Sequence, residues 1–198
     1  MLEIKVYGNY GLFTSHESIP ERFTYEVITP SASKGIFESI YWKPQFTWKI
    51  REIQVLNEIN FMSFKRNEVK SRMSTRSKLP YLSIQDDRTQ KNNFILVKPT
   101  YIIRASIIQK PDDQAHINKH IEIFNRRLQS GQCFRQPYFG CKEYVAYFEP
   151  PSGNETIHDS LKGTIQLDRM LHSTHFQPGK KTYFSYYSPT MVNGLIKV

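Results

Sequence analysis

Residues 113–131 read DQAHINKHIEIFNRRLQSG. Ile121, Phe124 and Leu128 recur at helical spacing and form one apolar face. Gly131 supplies a stop, so the stretch predicts an amphipathic helix with Lys119 and His120 near its mouth. On its N-terminal side, FILVKPTYIIRASIIQ (94–109) reads as strand, with Pro99 marking an edge, a bulge or a strand start. FTWKIREIQVLNEINFMSF (46–64) is rich in β-branched and aromatic residues and also reads as strand. TPSASKGIFESIYWKP (29–44) reads as a helix with clear ends. Thr29 is its N-cap, Pro30 suits the first helical position, and Ile36, Phe37, Ile40 and Tyr41 make the apolar face before Pro44 stops the element. LEIKVYGNY (2–10) alternates apolar and polar residues as a strand does. On the C-terminal side, CKEYVAYFEP (141–150) is a strand ended by Pro150 and Pro151.

The order over residues 1–150 is therefore β-α-β-β-α-β. That is the split-βαβ, ferredoxin-like pattern of an antiparallel sheet with two helices on one face. Beyond PSGNETIHDS (151–160), the segments GTIQLDRML, TYFSYY and GLIKV are strand-rich. The expectation is an α+β fold in two domains. Residues 1–150 form a ferredoxin-like, RNA-binding and catalytic unit, and 151–198 form a small antiparallel β domain. There is no internal repeat and no low-complexity tract.

The chain of 198 residues carries 27 Lys and Arg against 18 Asp and Glu, a formal charge of +9. Such a balance favours a polyanionic partner, nucleic acid before an acidic membrane surface, and no basic amphipathic helix supports a membrane. Twelve Tyr and 13 Phe provide for a core and also for stacking on single-stranded RNA. No apolar run is long enough to cross a bilayer, and MLEIKVYGNYG lacks the pattern of a signal peptide. Two cysteines, Cys133 and Cys141, make no disulfide framework and fit no common zinc spacing, so a reduced, cytoplasmic protein is expected. Residues 65–91 hold eight Lys and Arg against three acids, with little hydrophobic periodicity. They read as a long basic loop or hairpin.

Cutting RNA without a metal requires three things. A base takes the proton of a 2′-OH, a cation stabilises the five-coordinate phosphorus, and an acid protonates the leaving 5′-oxygen. Imidazole suits proton transfer and lysine suits charge stabilisation. Lys119 and His120 supply both, although neighbours on a regular helix diverge by about 100° and converge only at its first turn or just before it. The plainer reading is a solvated lysine beside a capping or core histidine. His116 and His120 are spaced i, i+4, but no Glu lies between them and no third ligand is evident, so no metal site is expected, and no cofactor. His172 and His175 flank a turn and read as surface histidines. Tyr41 and Lys43 either direct a hydroxyl and an ammonium at phosphate or, with Trp42, simply cap the core. In FKRNEVKSR (64–72), Lys65 and Arg66 are candidates to hold a phosphate backbone and Asn67 to read a base edge. Arg126, Arg127, Arg135, Tyr138 and Lys142 add a second basic cluster, where Gly131 and Gly140 allow close approach to a ligand. Phosphate-loop, nucleophile-elbow and HExxH motifs are absent.

YGNYGLFT, TYEVITPSASKGIFESIYWKP, FKRNEV, NKHIEIFNRRLQSGQCFRQPYFGCKEY and MVNGLIKV together resemble the subtype I-C CRISPR-associated endoribonuclease family. This is the fifth type of Cas protein, in the RAMP superfamily, and the resemblance runs nearly end to end. It implies a ferredoxin-like domain followed by a small β-rich one. It implies cleavage of precursor CRISPR RNA at the 3′ base of the repeat hairpin by the metal-independent 2′-OH route, leaving a 2′,3′-cyclic phosphate. The cut RNA then stays bound, with the protein a subunit of the type I-C interference complex beside its backbone and large subunits. The family's catalytic tyrosine, lysine and histidine fall on Tyr41, Lys119 and His120. Gly11 stands where many members have alanine, and many members continue further after NGLIKV. The alternative expectation is a non-catalytic subunit that holds the end of the guide RNA, and duplex DNA is a further candidate partner.

Overall fold

The computed structural model describes residues 1–15, 21–74, 76, 81–111, 116–176 and 179–198. Strands β1 (Leu2–Tyr7), β2 (Tyr10–Gly11) and β3 (Arg22–Phe23) precede helix α1 (Pro30–Ile40). Then come β4 (Phe46–Val55), β5 (Asn60–Val69), β6 (Arg88–Val97) and β7 (Thr100–Gln109), followed by helix α2 (Ile117–Gln129) and β8 (Tyr147–Glu149). A short 3-10 turn (Asp159–Leu161) leads to β9 (Thr164–Gln166), β10 (Met170–His175), β11 (Tyr183–Tyr187), β12 (Thr190–Val192) and β13 (Leu195–Lys197).

Seven strands form one antiparallel sheet in the order β8-β1-β7-β4-β13-β12-β9. The register places Ile4 opposite Ile103, Val6 opposite Tyr101, Trp48 opposite Ile107 and Ile53 opposite Ile103. These side chains share one face, and all are buried. Both helices lie on that face. Phe37 of α1 stacks on Phe124 of α2 at 5.4 Å, and Trp48 of β4 lies 4.9 Å from each ring. The opposite face is charged: Arg104 pairs with Glu3 and Glu52, and Lys5 with Glu149. One apolar and one polar face is the usual economy of an antiparallel sheet.

A second sheet is built on β6, which pairs antiparallel with β5 and β2 and parallel with β3. A two-stranded ribbon, β10–β11, packs on α1 through β10. The molecule is thus a mixed α/β fold of mostly antiparallel sheets and two helices.

The caps of α1 follow the sequence. The Thr29 side chain accepts the Ala32 N–H, and Pro30 opens the helix. The helix ends at Ile40, before Pro44, because Tyr41 is already extended (φ −149°, ψ 123°). Two stretches read as single strands are each divided. FTWKIREIQVLNEINFMSF splits into β4 and β5 around residues 56–59. FILVKPTYIIRASIIQ splits into β6 and β7 at Lys98, which adopts φ 48°, so Pro99 stands just before a strand start. Most of the basic stretch 65–91 is the far end of the β5–β6 hairpin, whose ladder runs from Asn60↔Val97 to Val69↔Arg88. Residues 75 and 77–80 of that stretch lie outside the described residues, as do 112–115 ahead of α2. Of CKEYVAYFEP, only Tyr147–Glu149 forms a strand. The strand-rich tail joins the main sheet, because β13 pairs with β4 and leads through β12 to β9.

Candidate active site

Helix α2 begins at Ile117 with His116 at its N-cap. Lys119 and His120 therefore occupy its first turn, where the Lys119 N–H donates to the His116 carbonyl at 2.9 Å. The Lys119 side chain is exposed, whereas His120 is only 5% exposed. His120 faces the end of α1. Its Nδ1 lies 2.9 Å from the Tyr41 hydroxyl, joining residues 79 positions apart in a buried hydrogen bond. Tyr41 is itself 2% exposed.

Four further contacts fix this tyrosine. Its N–H donates to the Phe37 carbonyl, and its own carbonyl accepts the Trp48 indole N–H at 2.8 Å. The Arg127 guanidinium sits 5.2 Å from the Tyr41 ring centroid while donating from one Nη to the Ile40 carbonyl at 2.7 Å. Phe46 lies against both partners, with ring centroids 5.5 Å from Tyr41 and 4.9 Å from His120. The pair thus sits in an aromatic box capped by a cation. Hydrogen bonds gain electrostatic strength in such low-dielectric surroundings. Which side donates across this oxygen–nitrogen contact follows the histidine tautomer. The amino end of α2 adds partial positive charge where Lys119 emerges, which favours a phosphate there.

The structure brings Tyr41 and His120 together and leaves Lys119 beside them in the same helical turn. The eight expected RNA contacts differ in exposure and in their partners. Lys43 is exposed next to Trp42, which is also exposed and so does not pack into the core. Arg126 and Lys142 are exposed. The exposed Arg135 donates from Nε to Ser39 Oγ at 3.3 Å. Lys65 and Asn67 face solvent on β5, and Gln90 donates to Asn67 Oδ1 at 3.3 Å. Arg66 points to the other side of the hairpin and makes a two-pronged pair with Glu143. That pairing holds the Glu143 carboxyl below its ordinary range. Gly140, expected to admit a ligand, instead admits the chain itself. At φ +80°, a Cβ there would stand 1.9 Å from the Leu12 carbonyl oxygen. Gly131 (φ +63°) follows the end of α2 as expected.

Trp48, Phe46 and the inward role of Arg127 were not foreseen. One signal was available: His120, Phe124 and Arg127 are spaced i, i+4, i+7 and so share a helix face. Among the described residues, no group of three or more His, Cys, Asp or Glu side chains is placed to hold a metal ion. Both cysteines are free thiols. No described helix is long and apolar enough to cross a membrane.

Comparison with known proteins gives a consistent result. A family model described as CRISPR-associated protein (Cas_Cas5), the Cas5d branch, matches residues 1–198. A protein of Mannheimia succiniciproducens named CRISPR pre-crRNA endoribonuclease Cas5d is 35% identical, covering 100% of this chain and 94% of the relative. A protein of the same name from Thermus thermophilus is 38% identical over 77% of this chain and 65% of its own length. Among solved structures, a CRISPR-associated protein superposes with a TM-score of 0.71 at 24% identity, over 99% of this chain and 90% of that one. A functionally uncharacterized protein from Streptococcus mutans gives the same values. These structural likenesses bear on the fold alone.

Proposed function

The chain belongs to the Cas5d family of CRISPR-associated proteins, and from that premise we propose that it is a pre-crRNA endoribonuclease that stays on as a subunit of a CRISPR interference complex. The observation that carries the catalytic reading is the buried Tyr41 Oη–His120 Nδ1 hydrogen bond at the mouth of α2, with Lys119 in the same turn.

The reaction is metal-independent. The 2′-oxygen of one nucleotide attacks the adjacent phosphorus, the 5′-oxygen of the next leaves, and a 2′,3′-cyclic phosphate remains. His120 and Tyr41 act as a proton-transfer pair, and the Lys119 ammonium stabilises the charge that develops on the phosphorane. The cut falls at the 3′ base of the repeat hairpin. Lys43, Lys65, Arg66, Asn67, Arg126, Arg127, Arg135 and Lys142 are the proposed RNA contacts. Of these, Arg66, Asn67, Arg127 and Arg135 also hold partners within the protein. Residues 1–150 form the RNA-binding and catalytic unit, read as ferredoxin-like. The alternation β1-α1-β4-β7-α2-β8 and the strand order β8-β1-β7-β4 support that reading, with β5–β6 as an insertion. Residues 151–198 form the smaller β unit. The complex is of type I-C, with its backbone and large subunits as neighbours and a cytoplasmic setting.

The burial of both Tyr41 and His120 favours a second reading, a subunit that grips the end of the guide RNA without cutting it. The two readings separate on labelled cognate repeat RNA incubated in EDTA, beside RNA with a 2′-deoxy substitution at the cleaved position. Cutting in EDTA that the deoxy change abolishes supports the nuclease. Tight binding by folded protein without cutting overturns it. Added duplex DNA tests the remaining partner, since binding driven by the +9 charge must fall steeply with salt.

A further inference from the structure

Away from Tyr41 and His120, a groove of about 250 Å³ runs along the outer side of α1. Ser31, Gly35 and Ser39, spaced i, i+4, i+8, form one wall of it. A Cβ placed on Gly35 meets nothing within 4 Å, so the middle of the groove is open space. Tyr138 and Arg135 stand opposite on the loop after α2, and the Phe134 and Arg135 N–H groups tie that loop to the Ser39 carbonyl. Tyr25 lines the groove at 7% exposure, Tyr138 is half-buried beside it, and Arg135 donates from its Nε to Ser39 Oγ. Among the described residues, no carboxylate lines the groove.

Aromatic rings, hydroxyls and a guanidinium without an opposing acid suit a nucleotide: a base between rings and a phosphate on the arginine fork. The volume lies below the ~300–1,000 Å³ of sites for drug-sized ligands, which suits one base. We propose that the α1 groove seats a single unpaired nucleotide of the RNA, its base beside Gly35 and Tyr25 and its phosphate on Arg135. The proposal rests on the pre-crRNA reading and adds a recognition subsite to it. The Arg135–Ser39 end adjoins the turn that Tyr41 caps. A base lodged here therefore sets the register of the strand relative to the Tyr41–His120 pair.

Gly35→Leu is the decisive variant. It fills open space, and leucine is a better helix residue than glycine, so the fold is not weakened. Its melting temperature should be no lower than that of wild type. Repeat RNAs carrying one abasic site at successive unpaired positions are titrated against both proteins in EDTA. With wild type, one position should cost about tenfold in affinity, the scale of losing one stacked base. With Gly35→Leu, intact RNA should bind about tenfold more weakly, and that abasic position should cost nothing more, because a filled groove and a missing base remove the same contact. Arg135→Ala should weaken every RNA of the series alike. Intact RNA bound equally by Gly35→Leu and wild type overturns the proposal, as does an abasic profile that the variant leaves unchanged. RNA bound but not cut by wild type overturns the nuclease reading while the affinity profile still decides the groove. A wild-type chain that binds no repeat RNA overturns both.

Discussion

Helix α2 and the β5–β6 hairpin are both basic, yet they use their charges in opposite ways. In the last turn of α2, Arg127 turns inward, bonds the Ile40 carbonyl and covers Tyr41, so a cation serves as part of the scaffold around a buried polar pair. On the hairpin, one face consumes its charges in pairs. Arg22 and Lys91 share Glu68 at 3.0 and 4.0 Å, and Arg66 meets Glu143. The other face leaves Lys65 and Asn67 in solvent beside Phe23, which stacks on Phe94 at 4.3 Å. Net charge therefore does not map the binding surface. The alternation of a strand decides which cations are spent within the fold and which are left facing solvent.

The largest effect belongs to the buried pair. Tyr41→Phe and His120→Ala should each slow cleavage by about 10²–10⁴, the span of general acid–base catalysis, while RNA affinity stays near that of wild type. Single-turnover cutting of repeat RNA checks this, and undiminished cutting by either variant would remove the pair from the chemistry. Next comes the aromatic floor. Phe124→Ala removes a ring at 0% exposure and should cost about 3–5 kcal/mol in urea unfolding. A much smaller loss would mean that Trp48 and Phe37 close over the gap.

Arg127→Ala sharpens the contrast between the two basic regions. Loss of its charged hydrogen bond should lower stability by about 1.5–3 kcal/mol and flatten the salt dependence of RNA binding by less than one full phosphate contact, because the guanidinium is turned inward. A slope reduced by a full phosphate share with no loss of stability would make RNA, not Ile40, its main partner. Lys65→Ala should do the reverse, keeping stability and reducing the slope of log affinity against log salt by about 0.7, the share of one single-strand phosphate. Arg66→Ala should change that slope less, because Glu143 already occupies it.

The smallest effect is a dependence on pH. Arg66 depresses the Glu143 carboxyl, so the pair favours the folded chain above the ordinary glutamate value of 4.5 and loses that contribution as pH falls through the lower folded value. Both side chains are more than a third exposed, which holds the effect to about 1 kcal/mol or less. Glu143→Gln should melt slightly below wild type at pH 7 and level with it at pH 3. A gap that widens in acid would show that the carboxylate opposes folding.

What the sequence discloses is local. Thr29 and Pro30 announce α1, Gly131 closes α2, and the apolar spacing of both helices identifies the side that meets the sheet. Two strand breaks escaped because their signals are weak. LNEI at 56–59 contains no glycine or proline, and at 98 the turn rests on a lysine in a left-handed conformation. The Tyr41–His120 bond joins residues 79 positions apart, and only the common helix face of His120, Phe124 and Arg127 hints at it. The Arg66–Glu143 pair spans 77 positions and has no local trace at all.

The pairing of β13 with β4 has a consequence for how the chain becomes folded. Leu195, Ile196 and Lys197 cover Gln54, Ile53 and Glu52, so the edge of β4 stays open while more than a hundred intervening residues are still being added. An uncovered strand edge invites pairing with another chain, and contacts so distant in sequence form slowly. A ribosome translating this message therefore exposes a sticky sheet border until β13 emerges and seals it.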